Sequence, residues 1–525
     1  PRRWTQGRDG GDVMDTPRSL EHARKSAKRL KKRAAAGDAD AVARLRAEFG
    51  ELPTPATHAD CLHVVAREAG APSWPRLKLA VETAALSRED RAIRLARAIA
   101  NGAFPVVDRL LELDPDLPDA EFGLQLAFAR SEAALATLAR DPAAATRPIR
   151  DRPPLCCLAF SHLHKRDAKA PARQIALLDA LLAGGAEIDR GMPAEPGSAD
   201  MLSPLYGALG HAGNLALAEA LLVRGANPND NESLYHATEL ETLDGVRLLL
   251  AHNARIAGTN AFFRMLDHDS AEGVRLFLDH GADANEGLNT AHPHIHSAPV
   301  RMPLHHAILR GRSASIGALL LDHGADPAVP YDGRSPYALA MVCGNREMAD
   351  LLHARGAATD LSDTERFLAM IMAGDAAGAR RLLAERPGLR DGLTRFDLTR
   401  QTELAAFAES LPVLRLMAEL GFDPNRKGES QAPPIQSAAW WGQAEIVEFY
   451  IGLGVDLESE NMFGGTALGT AIHGSMNCPG RERGDYPRCV ASLVEAGARI
   501  LPDRGHMEMG SEEVTAYLEE RLEPG

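Results

Sequence analysis

The chain has 525 residues, of which 45% are hydrophobic and 25% are charged, but only 5% are aromatic. Because strands favour Val, Ile and aromatic residues, an apolar content made mostly of Ala and Leu disfavours a large all-β protein and favours closely packed helices. The net charge is −14 overall, +7 over residues 1–33 and −21 over residues 101–525, so the acidic body is not expected to bind nucleic acid non-specifically.

Residues 1–17 are polar and rich in glycine, and we expect a disordered tail there. The sequence contains no apolar signal-peptide core and no run of about 18 apolar residues, so it predicts a cytoplasmic protein without a membrane span. Its six cysteines form no CxxC pair, which predicts buried thiols and argues against a disulfide framework or a zinc site.

Residues 18–88 predict a helical N-terminal domain. The stretch 19–49 is helical in pattern throughout, apart from a Gly-Asp break, and a second helical stretch follows at 61–82. Residues 21–33 (EHARKSAKRLKKR) place seven cations among thirteen residues. We interpret this helix as a solvated face, with contact to nucleic acid, anionic lipid or an acidic partner as the alternative.

A phrase of two apolar residues, two variable residues, then Gly-Ala and an Asp or Asn recurs along the rest of the chain. Ten copies, some of them degenerate, are separated by 28 to 43 residues, with a mean near 35. Clear copies are LLVRGANPN (221–229), LFLDHGADAN (276–285) and LLLDHGADPA (319–328). Each copy predicts the end of a helix, capped by a Gly that takes positive φ without a Cβ clash.

Start signals precede several of these helix ends. Ser at the N-cap and Pro at the first helical position open a helix, and such pairs or close variants occur at Ser203-Pro204, Met302-Pro303 and Ser335-Pro336. A small break lies between each start and stop, as at Gly213-Asn214 and Gly344-Asn345. Each repeat is therefore predicted to contain a short first helix, a tight turn, a second helix, a Gly cap and an extended loop.

These repeats resemble the ankyrin repeat, whose period is about 33 residues and whose signature is T-P-L-H-x-A. The clearest versions are MPLHHA (302–307), SPLYGA (203–208), SPYALA (335–340) and PPIQSAAWWGQAEIVEFYIGLGVDL (433–457). The resemblance implies an all-α solenoid of paired antiparallel helices with protruding hairpin-like loops. We expect about eleven to twelve repeats, some degenerate, over residues 89–505.

The two ends of the array are expected to carry caps. AREAGAPSWPRLK (66–78) is similar to a segment that precedes ankyrin repeats in many bacterial proteins. That similarity implies a bacterial origin and a helical cap that covers the apolar face of the first repeat, with Trp74 as a packing anchor. Residues 506–525 predict a polar C-terminal capping helix.

The resemblance implies a protein–protein interaction scaffold that binds its partner on a concave surface, as a monomer and without a cofactor. No G-x-S-x-G, H-E-x-x-H or P-loop motif supports an enzyme. One alternative is a regulator that associates with nucleic acid through the basic helix 21–33. A second is a regulatory subunit of an enzyme, or a metal-binding protein that uses the alternating His292, His294 and His296.

Inserted loops are expected at 161–174, 190–202, 289–302 and 473–489, either neutral or on the binding face. The strongest candidate contacts are Trp440 and Trp441, at variable positions before a Gly turn, of which we expect one to be exposed and one buried. Further candidates lie at comparable first-helix positions or on loop tips: Tyr206, Tyr235, His306, Met341, Asp332, Arg334 and Phe463.

Overall fold

A computed structural model describes residues 20–51, 56, 58–195, 197–288, 300–428, 430–500 and 510–522. Across these residues the predicted all-α fold is confirmed, with twenty-nine α-helices and one pair of two-residue strands. The predicted tail and the histidines at 292–296 lie outside the described residues. None of the described helices has the length and apolar character needed to cross a membrane.

The helices are numbered in chain order. The first fourteen are α1 (Leu20–Ala35), α2 (Ala39–Phe49), α3 (His58–Glu68), α4 (Trp74–Ala84), α5 (Arg88–Ala100), α6 (Phe104–Leu113), α7 (Phe122–Ala127), α8 (Ser131–Arg140), α9 (Pro154–Ala159), α10 (Ala170–Ala183), α11 (Pro204–Tyr206), α12 (Leu215–Val223), α13 (Ser233–Ala237) and α14 (Asp244–Ala251). The remaining fifteen are α15 (Ala261–Leu266), α16 (Ala271–Asp279), α17 (Pro303–Leu309), α18 (Ala314–Asp322), α19 (Pro336–Cys343), α20 (Arg346–Ala354), α21 (Asp363–Met372), α22 (Ala376–Glu385), α23 (Arg395–Leu404), α24 (Leu411–Glu419), α25 (Pro434–Trp440), α26 (Ala444–Gly452), α27 (Ala467–Asn477), α28 (Tyr486–Glu495) and α29 (Glu512–Leu522).

Shorter elements connect these helices. A π-helical turn at Gly207–His211 continues α11. Single 3-10 turns lie at Leu117–Asp119, Pro142–Ala145, Leu163–Lys165, Pro387–Gly392, Ala408–Ser410 and Arg481–Arg483. The backbone forms two compact units, a terminal unit of Pro1–Glu82 with Met370–Gly525 and a middle unit of Thr83–Ala369.

The predicted start and stop signals of the repeats are confirmed. The hydroxyl of Ser203 accepts the backbone N–H of Tyr206 at 2.9 Å, and the hydroxyl of Ser335 caps α19 in the same way. At the other end of the helix pairs, Gly225 and Gly324 take φ of 94° and 89°, which a side chain with a Cβ rarely adopts. These serine caps and glycine turns explain why the repeats consist of short helices joined by tight turns.

The inserted loop at 190–202 contains a small ribbon in the middle unit. Strand β1 (Met192–Pro193) pairs antiparallel with β2 (Met201–Leu202), with Met192 opposite Leu202. A Cβ built on Gly191 would lie 2.5 Å from the carbonyl oxygen of Leu202, so only glycine fits there. The loop is therefore shaped by backbone pairing at its base.

The N-terminal helices share one hydrophobic core in the terminal unit. Leu30, Leu45 and Cys61 are almost fully buried in it, and Trp74 is only 4% exposed, as expected of a packing anchor. Ala516 of α29 belongs to the same core, since α29 packs against both α3 and α28. The C-terminal helix is thus a packing partner of the N-terminal helices, which the sequence analysis did not anticipate.

The last repeats of the terminal unit stack closely. A Cβ on Gly474 of α27 would lie 2.5 Å from the carbonyl oxygen of Trp440 in α25. The two helices therefore lie closer together than a side chain at this position would allow. The hydroxyl of Tyr486 donates to that same oxygen at 2.7 Å, and the N–H of Asp485 donates to Gly442 O at 2.9 Å. These bonds fasten the inserted loop between α27 and α28 to the turn that follows α25.

Candidate functional site

Two sets of side chains lie along the first helices of the repeats and the turns that follow them. The polar row, in the middle unit, consists of Tyr206, His211, Tyr235, His236, Glu239, Arg264, Asp267, His306 and Arg310. The apolar row, in the terminal unit, consists of Phe407, Trp441 and Met476.

Asp267 is the centre of the polar row. Its carboxylate accepts from His306 Nε2 at 2.9 Å and lies 3.0 Å from Arg310 Nε and 3.4 Å from an Arg264 nitrogen. Burial alone would raise the pKa of Asp267, but the His306 hydrogen bond and the Arg310 charge outweigh it and lower the pKa to about 2. The group is therefore an anion at neutral pH, and it joins the repeat of α15 to the repeat of α17.

His236 extends this network toward the N-terminus. Its ring nitrogens lie 3.3 Å from Glu232 and 2.8 Å from Glu239, and Glu239 in turn accepts from Arg264 Nε at 2.9 Å. Hydrogen bonds with Glu232 and Glu239 raise the pKa of His236 to about 9. This histidine is accordingly a cation at neutral pH, and its charge is paired with the carboxylates of Glu232 and Glu239.

A histidine cluster follows on the N-terminal side of the polar row. The His162 ring lies 5.1 Å from the His211 ring and 6.4 Å from the His164 ring, measured between centroids. Burial, together with the charges of His211 and Lys165, lowers the pKa of His162 to about 4, and burial also lowers the pKa of His164 and of His211. These histidines are neutral at pH 7.

Four of the predicted contact residues keep accessible surface in the middle unit. Tyr206 is half-buried, with its ring 5.9 Å from Phe160 and 5.1 Å from His236. Tyr235 and Met341 are also half-buried, and Asp332 is exposed on its loop at φ 52°. Their role in partner binding remains a prediction.

Two of the predicted contact residues are buried instead. His306 is 4% exposed because its ring bonds to Asp267 inside the network. Arg334 is 6% exposed, since its backbone pairs with Tyr331 and its guanidinium lies 3.6 Å from Glu365, so little of its side chain is accessible and its role in partner binding stays a prediction. The neighbouring His305 bonds to the loop that follows its repeat, with Nε2 2.9 Å from Val329 O.

The apolar row consists of exposed side chains in the terminal unit. Phe407, Trp441 and Met476 are 52%, 37% and 39% exposed, and they lie at or just after the ends of α23, α25 and α27. Of the two tryptophans, one of which was expected to be exposed and one buried, Trp441 is exposed and Trp440 is half-buried with its ring 5.5 Å from that of His473. Sequence reasoning missed Phe407 and Met476, which carry no local signal of exposure.

Phe463 stands on a braced turn of the same unit. It is 78% exposed, and the adjacent Met462 is 45% exposed. The side-chain oxygen of Asn461 accepts the N–H groups of Phe463 at 2.9 Å and of Gly465 at 3.0 Å, and its amide donates to Gln436 at 2.8 Å. The ring is therefore held on a fixed backbone in solvent, where the sequence analysis expected it.

No metal centre emerges from the described part of the chain, where no three His, Cys, Asp or Glu side chains are grouped so that they could hold an ion. The alternating histidines of the proposed metal site lie outside the described residues. The thiols are unsuited to nucleophilic chemistry, because burial raises the pKa of Cys156, Cys157 and Cys489 to about 12.

Comparison with known proteins finds similarity among solved structures. No family model matches the chain, and no curated protein matches it. Among solved structures, the chain is similar to an ankyrin repeat domain from Acinetobacter baumannii AYE, with 25% sequence identity and a TM-score of 0.30. That similarity covers 37% of this chain and 99% of the other.

Proposed function

We propose that this protein is a non-catalytic protein–protein interaction scaffold of the ankyrin type, which binds its partner through the apolar row. The observation that carries the proposal is the exposure of Phe407, Trp441 and Met476 at or just after the ends of three neighbouring helices, α23, α25 and α27, in the terminal unit. Exposed apolar side chains that form a series are typical of interaction sites, whereas isolated ones are ordinary.

The setting of these side chains supports the proposal. Trp is enriched among the residues that contribute most to binding. The turn that carries Trp441 is fastened by the Asp485–Gly442 hydrogen bond, and Phe463 is fixed by Asn461. Because these groups are already ordered, little conformational entropy would be lost on binding.

The test is capture of partners from the source cell's lysate at low and high salt, followed by a direct binding assay with each purified protein that is retained. The change is Trp441→Ala, and the matched control is Val223→Ala, which removes a 69% exposed apolar side chain from the middle unit. We expect a discrete protein that persists in high salt and weakens at least about tenfold with Trp441→Ala alone. Equal binding by both variants would contradict the proposal.

The second candidate function is association with nucleic acid through α1. This helix buries Ala23, Ala27 and Leu30 in the N-terminal core, so exposed cations such as Arg29 and Lys32 lie on its outer face. Capture of nucleic acid that disappears in high salt, and that Arg29→Glu/Lys32→Glu abolishes, would favour this function. Indifference of that capture to salt would exclude it.

A further inference from the structure

We propose that Asn101-Gly102, in the turn between α5 and α6, is a site of spontaneous deamidation, at which Asn101 is converted to isoaspartate or aspartate. None of the other asparagines in the sequence is followed by glycine. The side chain of Asn101 is exposed, and the turn around it lacks hydrogen bonds that other turns of the array form.

The reaction requires only these two residues and water. The backbone nitrogen of Gly102 loses its proton and attacks Cγ of Asn101, and ammonia leaves as the new C–N bond closes a succinimide ring. Water then opens the ring at either carbonyl, which gives aspartate or, where the main chain now runs through Cγ, isoaspartate. One water is added and one ammonia is lost, without an oxidant or a reductant. Glycine favours the attack because it has no side chain to shield its nitrogen.

The amide of Asn101 is free to approach the backbone of Gly102. Asn101 is the exposed residue that ends α5, and among the described residues its side chain forms no hydrogen bond. Asn214 and Asn345 lie in the corresponding turns of two later repeats, and their side chains both donate and accept hydrogen bonds. Those two amides are held in place, whereas that of Asn101 can rotate.

The N–H of Gly102 is free because its expected acceptor is paired elsewhere. In other turns of the array the glycine N–H donates to the carbonyl three residues earlier, as at Gly311, Gly344 and Gly374. The carbonyl three residues before Gly102 belongs to Ile99, and it accepts from the backbone N–H of His162 at 3.1 Å. Within the described part of the chain, the N–H of Gly102 donates to no acceptor. Since a hydrogen bond to the neutral N–H would oppose loss of its proton, the free N–H favours the attack.

The modified residue lies between two contacts that join repeats of the middle unit. A Cβ built on Gly102 would lie 3.3 Å from Cδ2 of His162, and the carbonyl oxygen of Ala100 lies 2.6 Å from Nε2 of His211. Isoaspartate lengthens the backbone by one carbon between these contacts. Both products also place a carboxylate at the C-terminus of α5, where the helix dipole disfavours an anion. We therefore expect deamidation to loosen the packing of α5 against His162 and His211.

The experiment incubates the purified full chain for days at mildly alkaline pH in water enriched with heavy oxygen. Opening of the succinimide incorporates that oxygen, so mass spectrometry of the digested protein identifies each residue that reacts during the incubation. Isoaspartate is then identified by its methylation with an isoaspartyl methyltransferase. We expect label at residue 101 to accumulate at least about tenfold faster than at Asn214 or Asn345, because neither of these precedes a glycine. Label at residue 101 that accumulates no faster than at Asn345 would overturn the proposal.

A synthetic peptide of residues 97–106 tests the role of the fold. It gives the reaction rate of the same pair without the turn, and we expect the folded chain to react within about tenfold of that rate, since the fold does not bond the reacting groups. Complete protection of the pair in the folded chain, while the peptide reacts, would contradict the assignment.

Two variants test the structural consequence by hydrogen exchange. Asn101→Gln keeps the amide but disfavours ring closure, so the incubated variant should retain the protection of α5 that the incubated native chain loses. Asn101→Asp, measured fresh, supplies the carboxylate without the added backbone carbon and should show only part of that loss. Both changes are at an exposed residue and should preserve folding. An equal loss of protection in incubated Asn101→Gln would overturn the predicted effect on α5.

Discussion

The two units use the same part of the repeat in opposite ways. In the middle unit, the first helices and their turns carry charged and polar side chains that bond to one another, with Asp267 and Glu239 joining neighbouring repeats. In the terminal unit, the same part carries Phe407, Trp441 and Met476, which keep more than a third of their surface in solvent. The polar row uses its hydrogen-bonding and charged groups within the chain, whereas the apolar row leaves its side chains accessible to a partner.

This difference indicates that the polar row contributes mainly to stability and the apolar row mainly to binding. An ion-pair network between repeats adds specificity to their stacking, but its side chains have few hydrogen bonds left to offer a ligand. Because the apolar row is exposed in the folded chain, it contributes little to folding. The free energy of burying these side chains is gained only when a partner covers them. Stability should respond mainly to changes in the first row, and binding mainly to changes in the second.

The largest expected effect is acid destabilisation of the middle unit. The folded-state pKa of His162, about 4, lies below its ordinary value, so the unfolded chain takes up the proton first and stability is lost as the pH falls from 6.5 to 4. His164 and His211 act in the same direction. We expect the hydrogen-exchange protection factors of α9–α12, corrected for the intrinsic rate at each pH, to fall over this range, and His162→Gln to reduce their pH dependence.

The chain provides an internal control for that measurement. Among the described residues the tryptophans are Trp74, Trp440 and Trp441, all in the terminal unit, so their fluorescence reports on that unit. His236 provides a control of opposite sign, because its raised pKa means that its contribution is present below pH 6.5 and lost as the pH rises through about 9. Equal acid sensitivity of exchange in both units would contradict the assignment to the histidine cluster.

A smaller effect is expected from Asp267→Asn. This change removes the anion that pairs with Arg310 and Arg264 and leaves the buried His306 with a weaker acceptor, so unfolding should become easier by about 2 kcal/mol in urea denaturation. Asp322→Asn is the matched control, since its 2.8 Å pair with Arg355 is solvent-exposed and worth less than about 1 kcal/mol. If the two losses were the same, the network would have no special role.

The smallest effect on stability is expected from the apolar row. Phe407→Ser and Met476→Ser should each change the free energy of unfolding by less than about 0.5 kcal/mol, because their side chains already face solvent. The same changes should weaken binding of the partner in the direct binding assay. Leu493→Ala, which empties a fully buried site of the same unit, should cost about 2–5 kcal/mol and shows that the assay detects core damage. A comparable cost for Phe407→Ser would place that residue in the core.

Local signals predicted most of the helical fold. The caps at Ser203 and Ser335 and the Gly turns all depend on a few neighbouring residues, and sequence reasoning identified them. The same reasoning placed Phe463 on a loop tip and expected one of Trp440 and Trp441 to be exposed, since each adjoins a recognisable turn.

Long-range contacts were beyond the reach of that reasoning. Arg334 looks like an exposed loop residue until Glu365, thirty-one positions later, approaches its guanidinium. Asp267 is an ordinary acid in the sequence, and its network appears only when α15 and α17 lie side by side. The packing of α29 against α3 has no local signal, because neither helix encodes the other's position.

The shared core of the N-terminal helices and α29 has a consequence for biosynthesis. Ala516 joins residues such as Leu62 and Trp74, which leave the ribosome some 440 residues earlier. At about 5–20 residues per second, these helices wait roughly 20–90 s for their last packing partner. During that interval the apolar surface of α3 that α29 later covers is accessible to chaperones.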